Sequence, residues 1–239
     1  MLTKKLRKYN IILASKSPRR RFLLKELGLK FQVKTKEVDE SFPKKLKREK
    51  IVLYLCKKKA EAFKNNLRPN DLLITADTIV WINNRVLNKP KDYKEAVKML
   101  KLLSGKTHTV YTGVCIGCLS PFEGGKGDVK LHTFFSTTKV LFKKLADKEI
   151  DFYVRTYQPY DKAGAYGAQE CLPTGLNPCS KGEIKFLNKI KNPDLFIKSS
   201  STKEKISQTG IVKKISGSYF NVMGLPVKEL HKELSTLSN

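Results

Sequence analysis

The hydrophobic pattern of the first hundred residues switches repeatedly between two periods. Short apolar runs rich in Ile, Leu and Val are typical of strands, whereas apolar positions three or four residues apart are typical of helices. The runs predict strands at 11–14, 31–35 and 72–82, and the helical periods predict helices at 17–27, near 46–65 and at 92–103. Strands that alternate with helices in this way predict an α/β protein with helices packed against a sheet.

The chain beyond residue 82 predicts that the sheet is mixed. Asn83 and Asn84 are typical of a tight turn and lead into Arg85–Leu87, so the strand at 72–82 is expected to fold back as a hairpin. Further strands are predicted at 107–119, 131–141 and 211–215, and a last helix at 226–237. We therefore expect a central mixed, twisted sheet flanked by helices.

Two stretches interrupt this pattern. Residues 120–130 are rich in Ser, Pro and Gly and predict a long loop. Residues 171–210 shift to Lys, Ser, Asn and Thr with few branched apolar residues, so we expect an insertion that is largely flexible.

The junction between the first strand and the first helix has the features of an anion site. Ser17 is a good N-cap, Pro18 suits the first helical position, and Gly28 closes the helix. The unsatisfied N–H groups of the helix start and the forks of Arg19 and Arg20 meet within one turn, which is how helix N-termini hold phosphate oxygens. The alternative interpretation is a capped surface helix in a Lys-rich protein.

Asp77 lies in the middle of the otherwise apolar strand at 72–82. A buried, unpaired carboxylate is costly, so Asp77 is expected to be paired with a cation, hydrogen-bonded or placed at a cleft. One interpretation is an ion pair with Lys59 or Lys89 that serves packing alone. The other is a general base or metal ligand that faces bound phosphates.

Two adjacent acids, Asp39 and Glu40, follow the second strand in a predicted loop. Hard cations such as Mg²⁺ take carboxylate oxygens from loops of this kind, although acidic pairs in loops are also common as solvated surface. Together with Asp77 and the arginine junction, the pair becomes a candidate element for holding a metal ion.

A segment rich in small residues, Asp161–Gln169, allows the backbone to approach a ligand closely. Within it, Lys162 supplies a charge and Gln169 supplies an amide whose donor and acceptor match the edge of a pyrimidine base. The alternative is a tight loop that needs glycine for its backbone angles.

Three familiar motifs are incomplete. Ser104–Thr107 ends like a Walker phosphate loop, but Leu100 stands where a glycine is required, so Gly105 is better explained as a helix C-cap. Cys115 and Cys118 have the spacing of half a zinc site without a second close pair. The three histidines show no nucleophile or metal spacing, so acid and base work falls to carboxylates.

The net charge of +26 invites a nucleic-acid hypothesis. However, only 8 of the 48 basic residues are Arg, and the lysines are spread along the whole chain, so specific nucleic-acid binding is not expected. No apolar stretch is long enough to cross a bilayer, and the charged N-terminus lacks the apolar core of a signal peptide. The five thinly spread cysteines favour reduced thiols, so we expect a cytoplasmic protein without membrane partners.

Six motifs, taken in order, resemble the Maf (septum formation) family of nucleoside triphosphate pyrophosphatases. They are Leu13–Ser15 with Ser17–Arg20, Ala76–Val80, Lys89–Pro90, Ser104–His108, Asp161–Gly167 and Gly217–Pro226. The resemblance covers nearly the whole chain apart from 120–130 and 171–210. It implies a single two-lobed domain over residues 1–239 with a Maf/ITPase-like fold. It also implies an enzyme, often a homodimer, that hydrolyses a nucleoside triphosphate to monophosphate and pyrophosphate with Mg²⁺ or Mn²⁺.

The resemblance also implies a role for individual residues. The family's proton acceptor falls on Asp77, and its metal-facing positions fall on Glu40 and Asp77. Substrate-facing positions fall on Ser15, Arg19, Arg20, Lys59, Lys89 and Lys162. Arg19, Thr78 and Gln169 resemble the specificity residues of the subgroup that prefers dTTP and UTP.

The chain departs from the family pattern after Gln169, where Glu170 opens into a long Lys-rich stretch. Two other functions stay open. One is a pool-cleaning pyrophosphatase for modified nucleotides such as 7-methyl-GTP or ITP. The other is a catalytically weak regulatory protein that binds nucleotides or nucleic acid.

Overall fold

A computed structural model describes residues 2–119, 129–173, 177–195 and 210–236. The strands are β1 (Asn10–Leu13), β2 (Gln32–Val33), β3 (Asp71–Ile82), β4 (Arg85–Leu87), β5 (Thr107–Leu119), β6 (Val129–Phe142) and β7 (Val212–Ser216). The α-helices are α1 (Leu2–Lys5), α2 (Pro18–Glu26), α3 (Glu49–Glu61), α4 (Tyr93–Leu103), α5 (Asp147–Tyr157), α6 (Ala168–Cys171), α7 (Lys181–Lys189), α8 (Tyr219–Met223) and α9 (Val227–Thr236). Short 3₁₀ turns lie at Leu6–Lys8, Lys64–Asn66, Pro159–Asp161 and Ala163–Ala165.

The strands form one mixed sheet, as the sequence predicts. Its order is β2-β1-β3-β5-β6-β7, with β4 paired to β3. Strand β1 runs parallel to both β2 and β3, whereas the β3–β4 and β6–β7 pairs are antiparallel. Asn83 and Asn84 both adopt positive φ in the β3–β4 hairpin, which is the conformation that a two-residue turn of this type requires.

The contacts within the chain divide it into two compact units. The first unit comprises residues 1–77, 112–136 and 224–239. In this unit α3 packs against the sheet through Cys56 and Ala60, which join Ile12, Leu73 and the following Phe63 in an apolar cluster. The approach is close at Gly113 of β5, where a Cβ atom would lie 2.5 Å from the carbonyl oxygen of Val52, so only glycine fits beneath the helix.

The second unit comprises residues 78–111 and 137–223. Its core includes Val80, Leu100, Val140 and Phe142 from the strands and from α4. Helices α4 and α5 pack against each other over this core. The predicted C-cap at Gly105 is confirmed by its positive φ of 68° directly after α4.

Part of the predicted insertion at 171–210 carries regular structure. Helix α7 begins with a capping box in which Ser180 and Glu183 satisfy each other's backbone N–H groups. Glu183 is buried and also accepts hydrogen bonds from Ser218 Oγ at 2.7 Å and from the backbone N–H of Tyr219 at 3.2 Å. The flexibility of 171–210 as a whole stays a prediction, and most of the predicted loop at 120–130 lies outside the described residues.

No helix in the described ranges has both the length and the apolarity needed to cross a bilayer.

Candidate active site

One lysine joins the two carboxylates that the sequence singles out as metal-facing. Lys59 of α3 places its Nζ 2.8 Å from Glu40 Oε1 and also contacts Asp77 Oδ1. The Lys59 and Asp77 side chains are only 16% and 11% exposed, whereas the Glu40 side chain is 51% exposed. All three residues belong to the first unit. The sequence predicts that Asp77 is paired with a cation, hydrogen-bonded or placed at a cleft, and the structure shows a contact with the Lys59 ammonium.

Arg20 is held in place in the first unit by two backbone carbonyl groups. Its Nε donates to the carbonyl oxygen of Gly224 at 2.7 Å, and its Nη1 donates to that of Ala76 at 2.9 Å. Burial lowers the pKa of the Arg20 guanidinium from its usual value, while the nearby Asp77 carboxylate acts in the opposite direction. The side chain is thus fixed in the first unit beside the residue that precedes Asp77.

The start of α2 has the predicted local structure. The Ser17 side chain accepts a hydrogen bond from the backbone N–H of Arg20, so Ser17 is the N-cap. The hydroxyl of Ser15 accepts from the Ser17 backbone N–H at 3.2 Å and from Arg20 Nη1 at 3.4 Å. Arg19 lies close enough to Arg20 to lower its pKa. Serine hydroxyls, a helix start and arginines therefore meet after β1, which is a typical phosphate-binding arrangement.

The structure distinguishes the two adjacent loop acids. The Glu40 carboxylate contacts Lys59, whereas the Asp39 carboxylate accepts hydrogen bonds from Ser41 and from Lys58 Nζ at 3.1 Å. The hydrogen bonds from Ser41, with that from Lys58, lower the pKa of Asp39 to about 2. Only Glu40 of this pair joins Asp77, so it is the acid that can share a ligand with Asp77.

The second unit gathers the predicted residues of the Asp161–Gln169 segment. Lys162 Nζ lies 3.0 Å from Asp161 and 3.8 Å from Glu170, and its side chain is only 11% exposed. Tyr153 lies beside Glu170, since its hydroxyl is 3.4 Å from Glu170 Oε2 and accepts from the Gly167 N–H at 3.0 Å. Sequence reasoning missed Glu170 and Tyr153 as partners of this segment, because their contacts depend on how α5 packs.

Gln169 carries an unsatisfied amide oxygen. Its Oε1 is buried and has no hydrogen-bond partner among the described residues. Buried polar atoms are seldom left unpaired, so the position calls for a donor that the described protein atoms do not supply. The prediction that Gln169 contacts a ligand through its amide agrees with this observation.

Two further predicted residues lie in the second unit. Thr78 directly follows Asp77 along β3 and is half-buried, and Lys89 is exposed after β4. The N–H of Gly164 donates to the carbonyl oxygen of Asn88 at 3.1 Å, so the segment that carries Lys162 runs beside the residue preceding Lys89.

The donor set of the first unit fits a hard divalent cation. Glu40 and Asp77 offer carboxylate oxygens, which are the ligands that Mg²⁺ and Mn²⁺ prefer. In the part of the chain that the structure describes, no group of three or more His, Cys, Asp or Glu side chains could hold a metal ion. Mg²⁺ is commonly bound by one or two carboxylates together with substrate phosphates, and the pair Glu40 and Asp77 suits that arrangement.

An acid pair, a bridging lysine and a buried arginine beside one strand of a mixed α/β sheet suit the binding of phosphorylated ligands. The chain belongs to the Maf-like protein family, whose model matches residues 10–176.

Named relatives agree with this family. A "dTTP/UTP pyrophosphatase" of Phocaeicola vulgatus is 43% identical over 233 residues, which is 97% of this chain and 98% of the relative. A "dTTP/UTP pyrophosphatase" of Flavobacterium johnsoniae is 40% identical over 237 residues, covering 99% of this chain and 100% of the relative. A third, from Bacteroides thetaiotaomicron, is 42% identical over 233 residues, covering 97% and 98%.

Proposed function

We propose that this protein hydrolyses nucleoside triphosphates, with dTTP and UTP as its preferred substrates, to the nucleoside monophosphate and pyrophosphate. The observation that carries the proposal is the contact of Lys59 with both Asp77 and Glu40 beside Arg20. This arrangement supplies acid–base groups and phosphate-binding cations in one place. The names of the relatives support the reaction and the choice of nucleotides.

The phosphate chain is bound by the start of α2 and by nearby cations. Arg20 presents a guanidinium whose position is fixed by the Gly224 and Ala76 carbonyl groups, so little side-chain entropy is lost on binding. Arg19 and Lys59 of the same unit add positive charge. These charges stabilise the negative charge that builds up on the leaving pyrophosphate.

Asp77 is the proposed general base. Its carboxylate takes a proton from a water molecule as the water oxygen attacks the α-phosphorus in line with the leaving group. The bond between the α-phosphorus and the bridging oxygen then breaks, and pyrophosphate departs with that oxygen. Because Asp77 is mostly buried on a rigid strand, its carboxylate is held in one place for this step.

Glu40 and Asp77 are the residues that would hold Mg²⁺ or Mn²⁺. When bound, the ion neutralises phosphate charge and polarises the phosphorus centre. The two oxygens of the Asp77 carboxylate allow it to face the ion and to accept the proton.

Recognition of the base is assigned to Gln169 of the second unit. A pyrimidine base with an N3–H, such as thymine or uracil, would supply the donor that the buried Gln169 Oε1 lacks. Cytosine has an acceptor at that position, so the same amide oxygen would disfavour it.

The proposed hydrolysis is tested by assaying the full chain with a panel of nucleotides. Pyrophosphate release is measured from dTTP, UTP, CTP, 7-methyl-GTP and ITP, each with Mg²⁺, with Mn²⁺ and with a chelator. We expect release from dTTP and UTP that the chelator abolishes. Asp77→Asn is expected to fold and to lose about a hundredfold to ten-thousandfold in rate, because removal of a general base has that cost.

A matched pair of loop variants tests the metal assignment. Glu40→Gln is expected to raise the Mg²⁺ concentration needed for half-maximal rate, whereas Asp39→Asn is not, since Asp39 is engaged by Ser41 and Lys58. A faster reaction with 7-methyl-GTP or ITP than with dTTP would favour the pool-cleaning function. No release from any nucleotide, together with salt-sensitive oligonucleotide binding, would favour the regulatory function.

We further propose a cytoplasmic location, as the composition predicts, and a homodimer, as the family resemblance implies. All five cysteines, which lie within the described ranges, are free thiols, in agreement with a reducing compartment.

A further inference from the structure

The Lys59 ammonium group lies between the Glu40 and Asp77 carboxylates, where a divalent cation would otherwise neutralise them. It lies 2.8 Å from Glu40 Oε1, contacts Asp77 Oδ1, and so neutralises and bridges two carboxylates from different segments of the first unit. Helix α3 supplies this side chain, whose stem is mostly buried. The carboxylates proposed for the metal are therefore already engaged by the protein itself.

An ammonium group and a metal ion cannot share these oxygens at close range without strong repulsion. The repulsion between like charges grows as water is excluded, and both Lys59 and Asp77 are mostly buried. Arg20 adds a further positive charge close to Asp77 and Glu40. A metal ion that approaches the nucleotide-free protein thus meets cations before it can bind the acids.

The acids alone also make a weak site. Within the described ranges no third acidic, histidine or cysteine side chain joins Glu40 and Asp77. Mg²⁺ sites with one or two protein carboxylates generally complete their ligand set with substrate phosphates and water. A triphosphate would supply both the missing oxygens and the negative charge that attracts the Lys59 ammonium.

We propose that Lys59 holds Glu40 and Asp77 in the nucleotide-free protein and moves to the triphosphate when the nucleotide binds, so that the metal ion enters with the nucleotide. This inference rests on the proposed function, because it needs a triphosphate ligand. Lys59 is then a positioning residue for the metal in addition to a phosphate contact. Its exchange of partners couples metal binding to nucleotide binding.

The test measures Mn²⁺ binding to the full chain by the electron paramagnetic resonance signal of free Mn²⁺. The nucleotide is a dTTP analogue with a methylene group in place of the α–β bridging oxygen, which cannot be cleaved there. Binding of Mn²⁺ to the analogue alone is titrated separately and subtracted. We expect the wild-type protein to bind Mn²⁺ at least about tenfold more tightly with the analogue than without it, a difference of about 1.4 kcal/mol.

Two lysine variants on the same helix provide the matched comparison. Lys59→Met keeps the apolar stem and removes the charge, so it should raise the Mn²⁺ affinity of the nucleotide-free protein by at least about tenfold. Lys58→Met is the control, because Lys58 pairs with Asp39 at 3.1 Å and not with Glu40 or Asp77. It should leave the Mn²⁺ affinity unchanged. Circular dichroism melting confirms that each variant is folded.

Two results would overturn the proposal. One is wild-type protein that binds Mn²⁺ equally tightly with and without the analogue, a measurement that needs no variant. The other is a folded Lys59→Met protein whose nucleotide-free Mn²⁺ affinity equals that of the wild type. If pyrophosphate is released from dTTP while either result is found, the proposed move of Lys59 from the carboxylates to the triphosphate is wrong. The proposed function then still stands. If no nucleotide is hydrolysed, the proposed function itself fails.

Discussion

Arg20 donates a hydrogen bond through Nε to the carbonyl oxygen of Gly224 at 2.7 Å, although the two residues are 204 positions apart in the chain. The same guanidinium also donates to the carbonyl oxygen of Ala76 at 2.9 Å. One arginine therefore ties the start of α2 to β3 and to the segment that precedes α9. The planar guanidinium presents several N–H donors at fixed angles, which a lysine cannot reproduce.

Arg20→Lys should therefore lower the free energy of unfolding by about 2 kcal/mol, since hydrogen bonds from a charged group to carbonyl oxygens contribute about 1.5–3 kcal/mol. Urea denaturation followed by fluorescence of the single Trp measures this change. Arg21→Lys is the control, because Arg21 is exposed and makes only a 3.4 Å contact to the Ser15 carbonyl oxygen. It should change the free energy by less than about 0.5 kcal/mol. Equal losses in both variants would contradict this explanation.

Gly167 leaves room for the Glu170 carboxylate. A Cβ atom at residue 167 would lie 1.8 Å from Glu170 Oε2, so Gly167→Ala must displace that carboxylate from Lys162 and Tyr153. We expect Gly167→Ala and Glu170→Ala to lower kcat/KM for dTTP by similar factors, because both remove the Glu170 carboxylate from Lys162 and leave it paired with Asp161 alone. The double variant should be no worse than either single one, since residues that act through one contact are not additive. Steady-state kinetics of the three variants provides the test, and a multiplicative loss would show independent roles.

Gln169→Leu should remove discrimination among pyrimidine nucleotides. If the buried Gln169 Oε1 accepts a hydrogen bond from the N3–H of uracil, the variant no longer makes that bond with UTP. CTP has no N3–H, so its binding loses no such hydrogen bond. We expect kcat/KM for UTP to fall by about 10- to 100-fold and the ratio of UTP to CTP to approach unity. The ratio is its own control for general damage to the site, because both nucleotides share the triphosphate. A ratio that stays at the wild-type value would remove Gln169 from base recognition.

Much of the fold follows from local sequence signals. The alternation of short apolar runs with helical periods predicts β1 to β3 and α2 to α4. Strand β2 is shorter than predicted, with only Gln32 and Val33, and both residues are exposed. The two asparagines of the hairpin and the capping Ser17 act over a few residues, so they are readable from the sequence. The end of α3 was predicted too late, at about residue 65 instead of Glu61, because apolar residues continue past the helix into the 3₁₀ turn Lys64–Asn66.

The site is less predictable than the fold, because its contacts join distant segments. Asp77 stood out as a charge in an apolar strand, which predicted that it is paired with a cation, hydrogen-bonded or placed at a cleft, and the structure shows the pairing with Lys59. Lys59 and Lys89 were both candidates for an ion pair with Asp77, and the contact with Lys59 depends on how α3 packs in the first unit, which has no local sequence signal. The anchoring of Arg20 by Gly224 had no local signal, since carbonyl acceptors are present at every residue.

His108 makes stability depend on pH. Its ring lies against Phe142 and Tyr166, and its Nε2 is 2.8 Å from the Tyr166 hydroxyl. Burial lowers the pKa of His108 from 6.5 to about 3. Below pH 6.5 the unfolded chain therefore binds a proton that the folded protein does not, so the free energy of unfolding falls as the pH falls. Between pH 6.5 and 5 this amounts to about 2 kcal/mol.

His108→Gln should remove this part of the pH dependence, because the amide does not titrate and can still bond to Tyr166. Urea denaturation at pH 7 and pH 5 measures the slope in each protein. Tyr166→Phe is the control, since it removes the hydroxyl partner but keeps the titrating imidazole, and its slope should match that of the wild type. A slope in His108→Gln as steep as in the wild type would assign the effect to other groups.

Glu183 shows that part of the Lys-rich stretch contributes to the stability of the second unit. Its carboxylate accepts from the hydroxyl and N–H of Ser180, both at 3.0 Å, and from Ser218 Oγ at 2.7 Å, so it joins the start of α7 to the start of α8. Glu183→Ala leaves these donors, and the N–H of Tyr219, buried without an acceptor, and should lower the free energy of unfolding by about 3 kcal/mol. The neighbouring Ile184→Ala is the control, because Ile184 is 38% exposed and should cost less than about 1 kcal/mol. Thermal and urea denaturation of the two variants decides the point. Equal stability of Glu183→Ala and the wild type would mean that α7 does not hold α8, and that the stretch is the flexible insertion which its composition predicts.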